Sequence, residues 1–284
     1  MPGRTGRGFG TAGPGEKALR YGLMLFVLVL TVGPFVWQLS TSLKGMGEDI
    51  YTRTPNFIPA DPTLANYGGV AETIPVWSYG ANSLVVAAIV VFGNAVGATL
   101  AGYALAKLRF RGRRLLLGLF LATLILPGEV TIISQYVTVR GLGLDDTLLG
   151  VALPGAIGML NVLLMRTAFL SIPADMDSAA LIDGANAWQR LVHIGLPNVR
   201  GMLSVVVVFS FIGAWDDFLW PLLVLNDPEN YTLTVGLQYL TGTFSANPRL
   251  IAAGTMIAFI PIVIVFAVLQ RFFFKGVEEG AIKG

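Results

Sequence analysis

Long apolar runs without charge are the feature that most limits how this chain can fold. Four of them contain no Asp, Glu, Lys or Arg: residues 21–43, 73–106, 147–165 and 250–270. Two more are interrupted only by acids, Glu129 within residues 115–139 and the pair Asp216 and Asp217 within residues 201–225. A helix needs about 20 apolar residues to cross a bilayer, and backbone groups in lipid must satisfy one another. Because the runs do not alternate in polarity, a β-barrel is excluded and six transmembrane helices are predicted.

The composition agrees with a chain that faces lipid. Only 13% of the residues are charged and 54% are hydrophobic, with a mean hydropathy of +0.70, whereas soluble domains are about 25% charged. The fold class is therefore predicted to be an all-α integral membrane protein. The sequence has no cysteine, which excludes disulfides, thiolate metal sites and cysteine nucleophiles.

The basic residues predict the orientation. With six spans and a cytoplasmic N-terminus, 15 of the 19 lysines and arginines fall on the cytoplasmic side, and the exceptions are Lys44, Arg53, Arg140 and Arg249. Cytoplasmic loops carry this excess, so both termini are predicted to be cytoplasmic. The run KLRFRGRR at residues 107–114 is interpreted as a topology anchor rather than a nucleic-acid-binding patch.

The domain organisation follows from these segments. A flexible cytoplasmic tail is predicted for residues 1–20, a six-helix membrane domain for 21–275 and a cytoplasmic tail for 276–284. The external loop from residue 44 to about 75 is rich in proline and turn signals, so it is predicted to be coil with short helix. The predicted spans are residues 21–43, 82–106, 115–138, 147–167, 199–225 and 250–274.

A polar segment, residues 173–197, lies between the fourth and fifth spans on the predicted cytoplasmic side. Pro173 suits a first helical position, Gly184 is a stop signal, and Asn186 with Gln189 forms a capping pair. These signals predict two short helices, the second ended by Pro197. A single continuous helix would instead place an apolar stripe opposite a polar one. Either arrangement presents a face for a partner, and the alternative is an ordinary interfacial helix.

The same segment resembles a known signature. The pattern E-A-A-x3-G-x9-I-x-L-P of membrane subunits of bacterial ATP-binding-cassette (ABC) importers is matched, with all spacings kept, by Ala179, Ala180, Gly184, Ile194, Leu196 and Pro197. The position of the signature glutamate is Ser178, and Asp177 stands beside it. An ion pair made by that glutamate in relatives is therefore expected to be absent or moved by one residue.

Other stretches resemble the carbohydrate-uptake branch, in particular permeases of the maltose and glycerol-phosphate importer type. They include GPFVWQLSTSLK, FIPADPTLANY, NSLVVA, GYALAKLRFRGRRLL, AWDDFLWPLLVL and the terminal GAIKG. The resemblance implies a type I ABC importer permease fold with a cytoplasmic coupling helix, in the cell inner (plasma) membrane. It implies an ATPase-coupling site at Asp177, Ser178, Ala179, Ala180, Asp183, Gly184, Ile194, Leu196 and Pro197.

The resemblance also implies the partners. They are a homologous second permease subunit, a dimer of ATPase subunits that binds ATP and Mg²⁺, and an extracytoplasmic binding protein that delivers the substrate. The chain itself is expected to bind no cofactor and to catalyse no reaction. In support, no lysine follows a glycine and then precedes Ser or Thr, so the chain has no P-loop.

The acids and tryptophans near the outer ends of the spans are candidates for a substrate path. A carboxylate and indole rings suit a sugar-like solute by hydrogen bonding and stacking, while the alternative is a structural role at the interface. The candidate residues are Glu129, Trp215, Asp216, Asp217 and Trp220. Two other classes stay open from the residues alone: an ion-coupled secondary transporter and, with less support, a membrane-embedded lipid-modifying enzyme.

Overall fold

A computed structural model describes residues 13–51, 56–241 and 247–281. In this part of the chain the regular structure is helical, and its only β-type pairing is an isolated bridge between Lys44 and Pro62. The predicted all-α class is confirmed. The α-helices are α1 Pro14–Ser42, α2 Ala65–Thr73, α3 Val76–Gly93, α4 Thr99–Lys107, α5 Arg113–Ile125, α6 Gly128–Gly141, α7 Leu148–Ala152, α8 Met159–Ser171, α9 Ala174–Ile182, α10 Ala187–Arg190, α11 Leu196–Asn198, α12 Arg200–Trp215, α13 Leu219–Val224, α14 Leu233–Gln238 and α15 Pro248–Ala281.

Short π and 3-10 segments connect some of these helices. The π-helical stretches are Asn94–Ala98 and Leu191–Gly195, and the 3-10 stretches are Leu153–Gly155, Pro228–Asn230 and Tyr239–Thr241. The first π stretch joins α3 to α4, so that Val76–Lys107 is one helix of 32 residues. The second joins α10 to α11 within the polar segment.

Among the described residues, three helices are long and apolar enough to cross a membrane: Pro14–Ser42, Val76–Lys107 and Pro248–Gln270. Three further pairs pass the same test only as bent spans. Arg113–Ile125 and Gly128–Gly141 meet at 107°, Leu148–Gly155 and Met159–Ser171 at 43°, and Ala187–Asn198 and Arg200–Trp215 at 80°. The number of spans is thus three, or up to six if each bent pair crosses once.

Two helix ends differ from the predicted boundaries. Helix α1 begins at Pro14 rather than at residue 21, because Gly13 starts the helix, Pro14 suits its first turn, and Glu16 pairs with Arg20 one turn later at 2.6 Å. Residues 14–20 are therefore helical, while residues 1–12 lie outside the described part. At the other end α15 continues to Ala281, since no proline follows Pro261 and glycine alone is a weak helix breaker.

Three predicted spans are interrupted, and the fourth of the six bends by 43° between Leu148–Gly155 and Met159–Ser171. The third breaks after α5 because Leu126 precedes a proline and adopts an extended conformation, and Pro127 then starts α6. The fifth ends at Trp215, and the chain resumes as α13 at Leu219. The two acids that interrupt the apolar run thus lie at a helix break rather than inside a continuous helix.

The chain divides into two compact units. In the larger one, Val70–Ala246 with Ile257–Gly284, glycines on one long helix allow close crossings. A methyl group on Gly97 would lie 2.6 Å from Ile157 Cδ1, and one on Gly102 would lie 2.7 Å from Met165 Cβ. Small residues at such positions let helix backbones approach closely. Around this crossing the core contains Val162, Met165, Phe169, Leu191 and Val206.

The smaller unit is Met1–Gly69 with Asn247–Met256. Its buried polar centre is Lys44, whose Nζ lies 3.9 Å from Glu48 Oε1 and 4.6 Å from the centre of the Trp37 ring. The side-chain amide of Asn66 donates to the carbonyl oxygens of Ser42 and Lys44, each at 2.9 Å. These contacts hold the described part of the loop after α1 against the end of that helix.

Candidate functional site

The segment at residues 173–198 folds as two short helices separated by a tight turn. Helix α9 ends at Ile182, and Gly184 has a φ of +78°, a conformation that favours glycine. Asn186 then caps the next helix: its Oδ1 accepts from the Gln189 backbone N–H at 2.9 Å, and Gln189 Oε1 accepts from the Asn186 N–H at 2.9 Å. The two-helix prediction is confirmed, and a single continuous helix is excluded.

The prolines at the two ends lie one position from where they were expected. Pro173 precedes α9 as its cap instead of being its first helical residue. Pro197 lies inside α11, which ends at Asn198 before the 80° bend into α12. Proline fits there because a first-turn position needs no backbone N–H.

Asp177 is the electrostatic anchor of this segment. Its Oδ2 lies 2.6 Å from Lys107 Nζ at the end of α4, and its Oδ1 lies 3.9 Å from Arg190 Nη1 on α10. Lys107 also donates to the carbonyl oxygen of Ile172 at 3.1 Å. All three charged side chains are largely buried, so their attraction is screened less than that of an exposed pair. One carboxylate therefore ties α9 both to α4 and to α10.

Aromatic packing fixes the second half of the segment. Tyr103 donates its hydroxyl to the carbonyl oxygen of Ala187 at 3.2 Å and packs edge-on against Phe169 at 5.3 Å between ring centres. Leu191 is buried in the same core. Gly195 passes so close that a methyl group there would lie 3.1 Å from Phe169 Cε1. The segment is held by α4 and α8 rather than by its own short helices.

Four large apolar side chains of the segment are exposed among its polar ones. Ile182 is 86% exposed and Trp188 is 64% exposed, and Met176 and Leu181 are exposed as well. We call these four residues the apolar patch. Met176, Leu181 and Ile182 lie on α9, which belongs to none of the candidate spans found among the described residues, whereas Trp188 lies on Ala187–Asn198, before the 80° bend into α12. Exposed apolar patches of this kind are typical of surfaces that bind another protein.

Some of the predicted coupling residues are exposed and the others are partly buried. Ser178 is exposed, and its hydroxyl donates to the carbonyl oxygen of Ala174 at 3.0 Å. Because a hydroxyl is uncharged, this position makes no ion pair. Exposed with it are Ala179, Asp183, Gly184 and Pro197. Partly buried are Asp177, Ala180, Ile194 and Leu196, and the last two pack against the core.

A second candidate site is a cleft of about 360 Å³ in the larger unit. Of the predicted path residues, Asp217 and Trp220 line it, together with Gln135 and Phe209. Trp220 is fixed by its indole N–H, which donates to the carbonyl oxygen of Val151 at 3.1 Å. The cleft thus combines a half-buried carboxylate, an amide and two aromatic rings, groups that suit a polyhydroxylated solute.

Asn94 forms the polar floor of this cleft. Its amide donates to the carbonyl oxygens of Val90 and Gly155 at 3.0 and 2.8 Å, and its Oδ1 accepts from the Gly158 N–H at 2.7 Å and from Asn161 at 2.9 Å. Asn161 also donates to Ser210 Oγ at 3.1 Å. Every polar atom of the Asn94 side chain is satisfied, so its role is to join helices.

The other three predicted path residues do not line the cleft. Trp215 is buried, stacks on Phe211 and donates to the carbonyl oxygen of Ala258 at 2.9 Å. Asp216 and Glu129 are exposed, at the end of α12 and in the first turn of α6. The structure therefore brings together two of the five candidates.

Sequence reasoning missed several residues of both sites. The sequence analysis treated Tyr103 as part of a span and Lys107 as part of the basic run after it. No local pattern links these two residues to Asp177 and Ala187, which lie far along the chain. Asn94 and Asn161 do carry a signal, because amides inside apolar runs are rarely without a structural or functional role.

Comparisons with known proteins place this arrangement in context. Residues 93–279 match the family described as "Binding-protein-dependent transport system inner membrane component". The chain is similar to a galactooligosaccharides transport system permease protein of Bacillus subtilis, with 32% identity covering 93% of this chain and 94% of that protein. It is also similar to an sn-glycerol-3-phosphate transport system permease protein of Agrobacterium fabrum, with 32% identity covering 90% and 94%, and to a diacetylchitobiose uptake system permease protein of Streptomyces coelicolor, with 30% identity covering 90% and 95%.

A solved structure has the same fold. A chain in the crystal structure of a bacterial ABC transporter involved in the import of alginate matches with a TM-score of 0.81 at 24% identity, covering 93% of this chain and 99% of that one. A second match, from an alginate transporter in complex with a periplasmic protein that holds an alginate pentasaccharide, has a TM-score of 0.62 at 13% identity and covers 90% and 94%. The fold is that of an ABC importer permease, as the sequence resemblance implied.

Proposed function

Because this chain belongs to the family of inner-membrane components of binding-protein-dependent transport systems, we propose that it is the permease subunit of an importer for a sugar or sugar-like solute, driven by ATP hydrolysis on a separate ATPase. The observation that carries this proposal is the segment at residues 173–198. It is attached to α4 through Asp177 and carries the exposed apolar patch.

This geometry suits transmission of force. A movement imposed on the apolar patch passes through the buried ion pairs to α4 and α10, because a rigid link transmits displacement while a loose loop absorbs it. For such a contact to drive transport, the ATPase must bind two conformations of the permease with different affinity. The Asp177 contacts with Lys107 and Arg190 give the segment such a link.

The proposed assembly has five protein chains of four kinds. This permease and a homologous second permease form the path, an ATPase dimer that binds ATP and Mg²⁺ docks on the apolar patch and the exposed coupling residues, and an extracytoplasmic protein delivers the solute. The fifth of six spans is then supplied by α12, while Ala187–Asn198 stays on the cytoplasmic side, and each of the other two bent pairs counts as one span. Both termini are cytoplasmic, in agreement with the distribution of basic residues.

The proposed substrate class follows from the relatives and the cleft. The similar permeases are named for galactooligosaccharides, diacetylchitobiose and sn-glycerol-3-phosphate. Asp217 and Trp220 supply a hydrogen-bond acceptor and a ring surface in the cleft, which are the groups expected to contact the hydroxyls and the apolar face of a sugar. We therefore assign the substrate path to Asp217 and Trp220, and interface roles to Trp215, Asp216 and Glu129.

Uptake by reconstituted protein tests the proposal. The permease pair in liposomes, with its ATPase and binding protein, should accumulate the solute only when ATP is present on the ATPase side. Omitting the ATPase should abolish uptake even with a proton or sodium gradient. Gradient-driven uptake by the permease without the ATPase would instead establish the secondary-transporter alternative.

A matched pair of tryptophans tests the docking surface. Trp188 belongs to the apolar patch, whereas Trp77, which is 79% exposed, lies at the beginning of α3. Trp188→Ala should reduce co-purification of the ATPase by about tenfold or more, the effect expected for an interface tryptophan. Trp77→Ala should leave co-purification unchanged. Equal loss in both variants, or in neither, would contradict docking at the patch.

A further inference from the structure

A cleft of about 700 Å³ lies outside both sites described so far. Four arginines line it, Arg109, Arg113, Arg114 and Arg166, and no acidic residue does. The first three belong to the connection between α4 and α5 and to the first turn of α5, and the fourth lies on α8. The sequence explains these residues only as topology anchors, which accounts for their charge but not for their convergence on one cleft.

Of the four arginines that line the cleft, Arg113 makes hydrogen bonds within the described part of the protein and the other three do not. Arg113 donates to the carbonyl oxygens of Leu108 and Ala106 at 3.2 and 3.3 Å and so supports the end of α4. Within the part of the chain that the structure describes, the side chains of Arg109, Arg114 and Arg166 make no ion pair and no hydrogen bond, and Arg166 Nε is buried. Clustered guanidinium groups repel one another, so an anion with several acceptor oxygens would stabilise the cleft.

The apolar members of the cleft point to the source of that anion. Phe110, Leu115 and Leu117 complete its lining. Leu115 is 68% exposed, and Leu119 one turn later along α5 is exposed too. The cleft lies where the candidate span Val76–Lys107 ends and the next one begins, which is the level of the lipid headgroups. A ligand with a charged head and an apolar tail matches this lining better than a free ion does.

We propose that this cleft binds the phosphodiester headgroup of an anionic phospholipid. Guanidinium groups of Arg109, Arg114 and Arg166 hold the phosphate oxygens, and the acyl chains lie along the exposed leucines of α5. Basic pockets between membrane helices are a recurrent form of lipid recognition. The site is separate from the segment at residues 173–198, in which Asp177 is paired with Arg190 and with Lys107 of α4.

Binding of a labelled lipid to the purified full-length chain in neutral detergent provides the test. The probe is fluorescent phosphatidylglycerol, with fluorescent phosphatidylcholine as the neutral comparison and inorganic phosphate as the competitor. Phosphatidylglycerol should bind at least about tenfold more tightly than phosphatidylcholine, because several arginines contribute. Arg114→Gln should weaken phosphatidylglycerol binding about fivefold, and Arg166→Gln by a similar factor.

Arg111 is the matched control, since it is an exposed arginine in the same basic run but does not line the cleft. Arg111→Gln should change the affinity for phosphatidylglycerol less than twofold. If the lipid were attracted only by the overall positive charge of the surface, Arg111→Gln and Arg114→Gln would weaken binding equally. Arg166→Lys keeps the charge and guards against a folding defect; it should retain more affinity than Arg166→Gln. Equal loss in Arg111→Gln, no preference over phosphatidylcholine, or displacement of the lipid by millimolar phosphate would each overturn the proposal.

Discussion

Lys107 Nζ lies 2.6 Å from Asp177 Oδ2, and this contact joins the end of a long apolar helix to the polar segment that follows the fourth candidate span. Asp177 stands next to Ser178, the position at which the family signature has glutamate. The carboxylate is thus present in this chain one residue earlier. Because the residue before the signature position pairs with α4, the segment keeps its ionic anchor although the signature residue is replaced.

Asp177→Asn should loosen the coupling segment. The substitution leaves Lys107 and Arg190 partly buried without their counter-ion, which costs about 2 kcal/mol for hydrogen bonds to charged groups. We expect ATP-driven uptake to fall severalfold while membrane insertion is retained. Ser178→Ala is the control, because the Ser178 hydroxyl contacts only the carbonyl oxygen of Ala174. Uptake by Asp177→Asn at the level of Ser178→Ala would contradict the anchoring role.

Gly184 separates the two short helices and has a φ of +78°. Gly184→Ala should destabilise this turn by about 1 kcal/mol, because a side chain raises the energy of the left-handed conformation. Asn tolerates that conformation better, so Gly184→Asn should cost less. Since a methyl group at this position meets no atom within 4 Å, the difference reports backbone strain rather than a clash. The rate of limited proteolysis at the turn, compared between the two variants, measures this difference in stability. Equal cleavage rates would exclude backbone strain at this position.

Two glycines of the candidate spans should respond in opposite ways to alanine. A methyl group on Gly102 would lie 2.7 Å from Met165 Cβ and 2.8 Å from the backbone nitrogen of Arg166, whereas one on Gly118 meets nothing within 4 Å. Gly102→Ala should lower stability by about 1 to 3 kcal/mol through overpacking. Gly118→Ala should leave it unchanged or raise it slightly, since alanine favours helix. Thermal unfolding in detergent distinguishes the two, and similar midpoints would refute the close crossing.

The sequence predicted the features whose causes are local. The turn at Gly184 and the capping pair of Asn186 and Gln189 depend on residues a few positions apart, so their geometry follows from residue type. The ion pair between Lys107 and Asp177 was not predicted, because it depends on how α4 and α9 pack. The signature drew attention to Ser178, whereas the charge that matters for packing is on its neighbour.

The breaks within the predicted spans were the second feature that the sequence did not predict. Hydropathy located the apolar runs but treated residues 115–138 as one span, although the chain bends by 107° near Pro127. The same method put Asp216 and Asp217 in one class because both interrupt an apolar run. Only the helix break after Trp215 separates them, since it exposes Asp216 and turns Asp217 into the cleft.

The buried Lys44 should make the loop after α1 sensitive to loss of the Glu48 carboxylate. The Lys44 side chain is 1% exposed, and its nearest carboxylate is Glu48. Glu48→Gln leaves a buried cation without a counter-ion, for which about 3 kcal/mol of destabilisation is typical. Adding Lys44→Met should restore much of that stability, because an apolar side chain of similar length needs no counter-ion. Denaturation of the original protein, the two single variants and the double variant gives the coupling energy between the two positions. Strictly additive changes in the free energy of unfolding would show that the two charges do not interact.

Asp217 and Asp216 form the sharpest test of the substrate path, because neighbouring carboxylates of identical chemistry lie in different surroundings. Asp217 lines the cleft with Trp220, and its own carbonyl oxygen accepts from Thr234 Oγ1 at 2.7 Å, a backbone contact that substitution to Asn preserves. Asp217→Asn should therefore keep the fold and lower uptake about tenfold, the effect of weakening a hydrogen bond to a charged acceptor. Asp216→Asn should change uptake less than about twofold, since exposed charges contribute little. Uptake is measured at saturating binding protein, so that delivery does not limit the rate. Equal uptake by the two variants would remove Asp217 from the proposed path.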